Sequence, residues 1–191
     1  MKELLEKAKS STLHSRLIDL RTYAVDKNRV IVEGRLMDQR FRPIYDIDGK
    51  KKEPGPIHEM VICLFVENRV PFTILDAQAE MLHFPHELCP QTLSSIKRLV
   101  GIEVKSGFGQ QVRELMGGTK GCAHLTHLMM TMGQEIFAGS MTHRLREPRP
   151  LPCAVEDIKG LEYLVNSCWV WREGGPLVQR VQEVVKRQEC L

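Results

Sequence analysis

The sequence carries little that would point to nucleic acid, to a membrane or to secretion. Its 27 lysines and arginines nearly balance its 24 aspartates and glutamates, and a net charge of +3 is too small to indicate a nucleic-acid-binding surface. No apolar run reaches the roughly 20 residues that a membrane-spanning helix needs. The N-terminal residues MKELLEKAKSS lack the apolar centre of a secretion signal. We therefore expect a cytoplasmic protein that binds neither nucleic acid nor membranes, and we leave open whether it forms a homodimer.

Familiar catalytic patterns are also missing. The sequence contains no GxxxxGK[ST] phosphate loop, no GxGxxG dinucleotide fingerprint, no HExxH zinc motif and no GxSxG nucleophile elbow. Six cysteines are present, without the spacing of a disulfide framework. This usage is typical of a reducing compartment and predicts that all six are free thiols or metal ligands. Any site must therefore be built from residues that are scattered along the chain.

Apolar residues alternate with polar ones over 17–25 and 30–37, and this pattern predicts a hairpin. A second hairpin is predicted from the segments 57–66 and 70–79, which flank Glu67, Asn68 and Arg69. The second pair begins with a run, Val61–Val66, that is apolar at every position and should be central in the sheet. Helical spacing dominates afterwards, most clearly at 122–144. The fold class is therefore α+β, an antiparallel sheet of two N-terminal hairpins covered on one face by helices.

We interpret the chain as a single domain, 1–191. Its predicted parts are an N-terminal helix at 1–15, mostly strands at 16–80, helices at 89–145, and a C-terminal helix and strand appendage at 154–191. Within that appendage, the pattern predicts a helix near 155–165, a short strand near 169–171 and a last charged helix.

The segment 117–125, GGTKGCAHL, is where glycines, a thiol and an imidazole precede a clearly amphipathic stretch. A thiol in the first turn of a helix is favoured as thiolate by the helix dipole, which predicts a functional role for Cys122. The alternative is a buried cysteine that behaves as a small apolar side chain, because Cys122 projects close to the apolar stripe of the helix. His124 projects about 200° away from Cys122 on an ideal helix. Both reach one centre only if the helix begins after Cys122 or its first turn is distorted.

Three further groups contain residues that bind metals or move protons. His58 and Glu59 stand at the start of the predicted central strand, and Cys89 stands where a strand gives way to a helix. Cys168 lies near the end of the chain. His83 and His86 precede Cys89 at three-residue steps, but this spacing matches no standard zinc pattern. Each group alone is more often structural, whereas together they supply the donors of a zinc or iron site.

At these residues the chain resembles a bacterial family catalogued as domain of unknown function 2889, over roughly 17–178. The resemblance is carried by EGRLMD at 33–38, IHEM at 57–60, Cys89, GGTKGCAHL at 117–125 and Cys168. Its most specific part is the glycine–cysteine–x–histidine–leucine run. His83, His86 and His127 do not belong to the pattern, and the family implies no established activity.

The chain is more distantly similar to U-type iron–sulfur cluster scaffold proteins. The similarity lies in the order of features along the chain: a hairpin, a strand that begins with an acidic residue, and two cysteines that each begin a helix. The resemblance implies a scaffold-like fold with a metal near one end of the sheet. Cys89 would correspond to the middle cysteine of those proteins and Cys122 to the last one. His58, with Glu59 beside it, stands where they have their first cysteine. This departure favours zinc or a single iron over a transferable cluster.

Three functions remain open from the sequence. The first is a zinc, iron or iron–sulfur site built from His58, Cys89 and Cys122, with Glu59, His124 or Cys168 completing the shell. The second is a small-molecule enzyme that uses Cys122 and His124 as nucleophile or acid/base beside an apolar pocket, lined by Met60, Phe65, Met129 and Trp171. The third is an adaptor whose cysteines are merely buried.

Overall fold

Four long strands form one antiparallel sheet in the order β1, β2, β5, β6. The strands are β1 (His14–Asp26), β2 (Arg29–Arg40), β3 (Ile44–Tyr45), β4 (Lys51–Lys52), β5 (Gly55–Glu67) and β6 (Thr73–His83). The short strands β3 and β4 pair with each other within the connection from β2 to β5. The computed structural model describes residues 1–148 and 152–187. Since β5 lies inside the sheet, the prediction of a central strand at Val61–Val66 is confirmed.

The helices follow the sheet in the chain, apart from a short one at the N-terminus. They are α1 (Lys2–Ala8), α2 (Phe108–Met116), α3 (Ala123–Arg144) and α4 (Pro176–Lys186), with 3₁₀ helices at Lys9–Ser11, Cys89–Leu99, Gly118–Lys120, Val155–Asp157 and Leu161–Tyr163. Helix α3 crosses β1, β2 and β5, and the 3₁₀ helix Cys89–Leu99 contacts β6. The predicted α+β class, with an antiparallel sheet and helices packed against it, is confirmed.

Alternation along the strands separates two faces of the sheet, which we call the inner face and the outer face. The inner face points at α3 and carries buried side chains, among them Val30, Val32 and Leu36 of β2 and Met60, Ile62, Leu64 and Val66 of β5. The intervening residues form the outer face and are half-buried or exposed. Leu125, Leu128, Met129, Met132 and Ile136 of α3 complete the core. A side chain on the inner face therefore lies beneath a helix.

Two glycines bring α3 close to the sheet and set its direction. A Cβ at Gly139 would lie 2.0 Å from Thr22 Oγ1, and a Cβ at Gly34 would lie 2.6 Å from Met132 Sδ. Thr22 also donates a 2.7 Å hydrogen bond to Glu135. The C-terminal half of α3 is thus held against β1, and its first turn lies over the far end of β2.

The region after α3 differs from expectation. Instead of one helix near 155–165 there are the two short 3₁₀ helices, and the predicted strand near 169–171 is wrong. Trp171 donates its backbone N–H to the carbonyl of Cys168, which closes a turn. The Arg172 guanidinium lies over the Trp169 ring, 4.1 Å from its centroid. The expected appendage at 154–191 extends past residue 187, beyond the described residues.

Candidate metal centre

Three charged or ionisable side chains stand in one row across three neighbouring strands. Arg16 of β1 pairs in register with Asp38 of β2, and Asp38 pairs with His58 of β5. In an antiparallel sheet, residues directly opposite each other point to the same face. That face is the inner one, since Asp38 follows Leu36 by two residues and His58 precedes Met60 by two. Strand register alone therefore brings the three side chains together beneath α3.

A β-bulge lies directly beside this row. Asp38 pairs with His58 and Gln39 pairs with Pro56, so Ile57 has no partner on β2. Bulges increase the local twist and redirect neighbouring side chains, and they often occur next to functional sites. Here the extra residue immediately precedes His58.

The start of α3 supplies a second imidazole. The helix begins at Ala123, and Cys122 is its N-cap with extended φ −96° and ψ 131°. The close approach of the preceding chain requires glycine at 121, because a Cβ there would lie 2.6 Å from the carbonyl oxygen of Met116. His124, in the first turn, places Nε2 3.6 Å from Asp38 Oδ2. The helix thus starts after Cys122, one of the two conditions under which the two residues can address one centre.

Asp38 contacts every other residue of the cluster, and its side chain is only 2% exposed. Arg16 donates to it in a bidentate manner, from Nε to Oδ1 and from Nη2 to Oδ2, both at 2.7 Å. His58 donates from Nδ1 to Oδ2 at 3.0 Å. His14 lies further out, with Nε2 3.9 Å from Oδ1. One buried carboxylate is therefore surrounded by a guanidinium and three imidazoles.

The electrostatics follow from this arrangement. Burial opposes ionisation of Asp38, but the hydrogen bonds and charge of Arg16, with the His58 hydrogen bond, outweigh it and hold the pKa of the carboxyl below its usual range. Burial, and then the neighbouring positive charges of His58 and Arg16, lower the pKa of His124. Asp38 is thus a carboxylate and His124 favours the neutral imidazole, which are the protonation states of metal ligands.

The two histidine rings lie against each other, with centroids 3.7 Å apart and planes tilted by 30°. One donor atom from each of Asp38, His58 and His124 lies within 4.8 Å of the other two. Zinc–nitrogen and zinc–oxygen bonds are about 2.0–2.2 Å long, so two donors of one ion lie at most about 4.4 Å apart. The distances from Asp38 Oδ2 to His58 Nδ1, 3.0 Å, and to His124 Nε2, 3.6 Å, are within this limit. The cluster is a candidate site for a metal ion, formed by nitrogen and oxygen donors.

The structure brings together only some of the residues that the sequence singled out. His58 and His124 meet at Asp38, and Cys122 lies next to them, with Sγ 3.9 Å from Nδ1 of His124. That nitrogen is on the side of the ring away from Asp38. Cys89 opens its 3₁₀ helix half-buried against the core, and Cys168 is exposed in the C-terminal turn. Over residues 1–148 and 152–187, no cysteine joins a group of three donors this close.

Glu59 belongs to a separate cluster on the outer face. It forms an ion pair with Arg35, and His83 donates to it from Nδ1 at 2.8 Å. These hydrogen bonds lower the pKa of Glu59. As neighbours on one strand, Glu59 and His58 point to opposite sides of the sheet. The expected His58–Glu59 pair is therefore divided between two faces.

Sequence reasoning missed Asp38 and Arg16 as site residues, although the signal was present. In β2, Asp38 occupies the position that the alternation Val30, Val32, Leu36 assigns to the core. In β1, Arg16 occupies the same position relative to Ile18 and Leu20. A charged residue in an apolar register is uncommon unless it is paired. Opposite charges at such positions on adjacent strands would have indicated a buried ion pair.

The cysteines depart from expectation at one further position. Cys63, Cys89, Cys122 and Cys168 are free thiols, but Cys153 is disulfide-bonded, so the prediction that all six are free or bind metal is wrong. Cys190 lies outside the described residues. Cys63 is on the outer face of β5, where burial and the nearby Glu33 and Glu80 raise the pKa of its thiol.

The expected apolar pocket beside Cys122 is not formed by the residues named for it. Met60 is buried in the core, whereas Phe65 lies on the outer face. Trp171 instead lines an apolar cavity of about 310 Å³ against the C-terminal end of α3, with Met141 and Leu145.

In the described part of the chain, none of the helices has the length and apolar character needed to pass through a bilayer.

Fold and site together define an α+β protein with an aspartate and two histidines clustered between a sheet and the start of a helix. The chain belongs to the family described as "Protein of unknown function (DUF2889)", whose model matches residues 14–138. The matched segment contains the whole sheet and every residue of the cluster, and it ends within α3, short of the residue 178 expected from the sequence. No curated protein and no solved structure matches the chain.

Proposed function

We propose that this protein binds a divalent transition metal, zinc or ferrous iron, through Asp38, His58 and His124. The observation that carries the proposal is the convergence of three donor atoms from β2, β5 and α3 within 4.8 Å. Imidazole nitrogen and carboxylate oxygen suit both metals. Within the described residues, the three converging donors are nitrogen and oxygen atoms, which supports zinc or one iron over an iron–sulfur cluster. The scaffold-like resemblance supports a metal at this end of the fold, and the proposal differs from it in the donor set.

The distances between donors fit one ion. A metal about 2.05 Å from each donor would subtend about 95° between the His58 and Asp38 atoms that are 3.0 Å apart. It would subtend about 120° between the His124 and Asp38 atoms that are 3.6 Å apart. These angles lie on either side of the tetrahedral value. His58 would bind a metal through Nδ1 after releasing to solvent the proton that this nitrogen donates to the carboxylate. His14, whose Nε2 lies 3.9 Å from Asp38 Oδ1, would be a further donor.

Cys122 has a supporting role in this proposal. Metal-bound histidines almost always use their second ring nitrogen in a hydrogen bond that fixes the ring. The Nδ1 of His124 faces Cys122 Sγ, which leaves Nε2 directed at Asp38. Cys122 therefore orients a ligand, whereas Cys89 is outside the shell.

Zinc titration by calorimetry, with metal analysis of purified protein, tests the proposal. We expect one equivalent of zinc, and affinity at least a hundredfold weaker in His124→Gln and Asp38→Asn. His127→Gln is the matched control, because His127 is exposed and lies one turn further along the same helix. Cys89→Ser should bind as the wild type does, and Cys122→Ala, which removes the hydrogen-bond partner of His124 Nδ1, should bind ten- to a hundredfold more weakly. Full zinc affinity in His124→Gln, with loss in Cys89→Ser, would support the sulfur-based site instead.

A small-molecule enzyme is the second candidate, favoured by the contact between Cys122 and His124. A thiol beside an imidazole is the arrangement of a nucleophile and its base. Iodoacetamide labelling at neutral pH separates the two functions. An enzyme of this kind requires Cys122 to react much faster than the exposed free thiol of Cys168, and requires His124→Gln to slow that reaction. Cys63 is not a suitable reference, because its raised pKa already slows its labelling. Equal rates at Cys122 and Cys168 would remove this candidate.

A further inference from the structure

A second site lies further along α3, away from the Asp–His–His cluster. We propose that a cavity of about 770 Å³, between the loop before α2, the middle of α3 and the segment 162–167, binds an uncharged aromatic molecule that carries hydroxyl or carbonyl groups. Its volume is within the usual range of small-molecule sites, about 300–1,000 Å³. The segment 162–167 follows the stretch that the family model matches, so the cavity is completed by residues outside that stretch.

The wall of the cavity is aromatic. Phe137 of α3 and Tyr163 of the C-terminal segment line it and stack with their centroids 6.1 Å apart and their planes 20° apart. Both rings also pack on the buried Phe72. On the α2 side, Phe108 lies directly against Gly133, where an added Cβ would come within 2.7 Å of the ring. Flat aromatic side chains held by such packing suit a planar apolar ligand.

The polar groups of the cavity are neutral and uncommitted. Within the described residues, the side chains of Ser106, Gln134, Tyr163 and Ser167 line the cavity and make no hydrogen bond to protein. Hydroxyl and amide groups both donate and accept, so they match hydroxyl or carbonyl groups on a ligand. A few such groups over an apolar wall are the usual composition of a specific small-molecule site.

Charge at the rim does not favour an ionic ligand. The rim contains one residue of each sign, Lys105 and Glu162. Lys105 is already paired with Glu103 at 2.8 Å, and Glu162 accepts the backbone N–H of Gly160 at 2.9 Å. A charged ligand would therefore find no unpaired group of opposite charge among these residues, whereas an uncharged ligand does not need one.

The probe is 2-naphthol, and 2-naphthoate, with the same rings and an anionic head, is its comparator. Both are titrated into the full chain at pH 7 and followed by amide NMR. We expect 2-naphthol to bind at least tenfold more tightly and to shift the amides of Gly107, Gly109 and Gly133. Gln134→Trp fills the cavity and should weaken binding at least tenfold. Thr142→Trp, on an exposed position of the same helix outside the cavity, should leave binding unchanged.

Three results would overturn the proposal. One is equal or tighter binding of 2-naphthoate, which would mean that charge selects the ligand. Another is a shift pattern centred on Trp171 and Leu177, which line the smaller apolar cavity. The third is unchanged binding in Gln134→Trp. If that variant does not fold, Ser167→Phe fills the same cavity from the C-terminal side and gives the same test.

Discussion

Replacing Asp38 by asparagine tests whether the carboxylate stabilises the fold as well as offering a metal ligand. The side chain is 2% exposed and accepts three hydrogen bonds of 3.0 Å or less. Asparagine with its oxygen at the Oδ2 position still accepts from Arg16 Nη2 and His58 Nδ1, but its amide N–H group then faces Arg16 Nε. Hydrogen bonds to a charged group contribute about 1.5–3 kcal/mol each. One is lost and the other two are weakened because the acceptor is no longer charged, while Arg16 is 36% exposed, so water replaces part of what it loses.

The expected loss in the free energy of unfolding is therefore about 3 kcal/mol. For a domain of this size, that corresponds to a fall in Tm of about 6–12 °C. Urea unfolding of metal-free protein at pH 7 measures it directly. Asp19→Asn is the control, because the ion pair of Asp19 with Arg21 is on the surface and its removal should leave the midpoint nearly unchanged. A change for Asp38→Asn below about 0.5 kcal/mol, the usual range for surface substitutions, would refute the reasoning.

Asp38 should also determine part of the loss of stability at acidic pH. Because the pKa of Asp38 is lowered in the folded state, its stabilising effect is complete above the ordinary carboxyl pKa of about 4. It is lost as the pH falls from there through the lowered value. The stability of Asp38→Asn should therefore depend less on pH in this window than that of the wild type. If the free energy of unfolding decreased equally with falling pH in the two proteins, the pKa of Asp38 would not be lowered by folding.

Further predictions concern the site and the packing of α3. Arg16→Met should bind zinc about tenfold more tightly in calorimetry, since a guanidinium within a few ångströms repels a divalent ion and occupies Asp38; weaker binding would mean that Arg16 chiefly positions the carboxylate. The lowered pKa of His124 means that folding favours its neutral form, so stability should decrease as the pH falls below about 6.5, and His124→Gln should remove that decrease in urea titrations at pH 5 and 7. Gly139→Ala should lower the free energy of unfolding in urea by about 1–3 kcal/mol, since its methyl group would overlap Thr22; an unchanged midpoint would show that α3 can move away from β1 without cost. The raised pKa of Cys63 predicts slow labelling by iodoacetamide at pH 7 that accelerates steeply above pH 9.

The sheet and the long helix could be predicted because their signals are local. Alternation identified β2, a continuous apolar run identified β5, and the stripe of Leu125, Met129 and Ile136 identified α3. The C-terminal segment has no such periodicity, and the apolar residues of 169–171 resembled a strand although they belong to a turn. Local pattern therefore predicts elements well where one face is buried over many residues.

The site was harder to predict because its residues meet through register. Arg16, Asp38 and His58 are distant in the sequence, and a shift of one residue in either pairing would separate them. The bulge at Ile57 shifts the pairing of β2 with β5 on the N-terminal side of His58, and local sequence pattern did not predict it. Cys122 was recognised from its motif, but its contact with His124 depends on where α3 begins, and helix ends are the least certain part of a pattern.

The row across β1, β2 and β5 has a consequence for how the sheet assembles. If β2 slipped by one residue, Asp38 would turn to the outer face and Met37 or Gln39 would take its place under α3. The three donors would then exist only in the correctly aligned sheet. An ion that binds this alignment alone stabilises it by about 2.7 kcal/mol at a hundredfold excess over Kd. A bound ion would therefore add to the preference for this alignment that burial of Val30, Val32 and Leu36 on the inner face already provides.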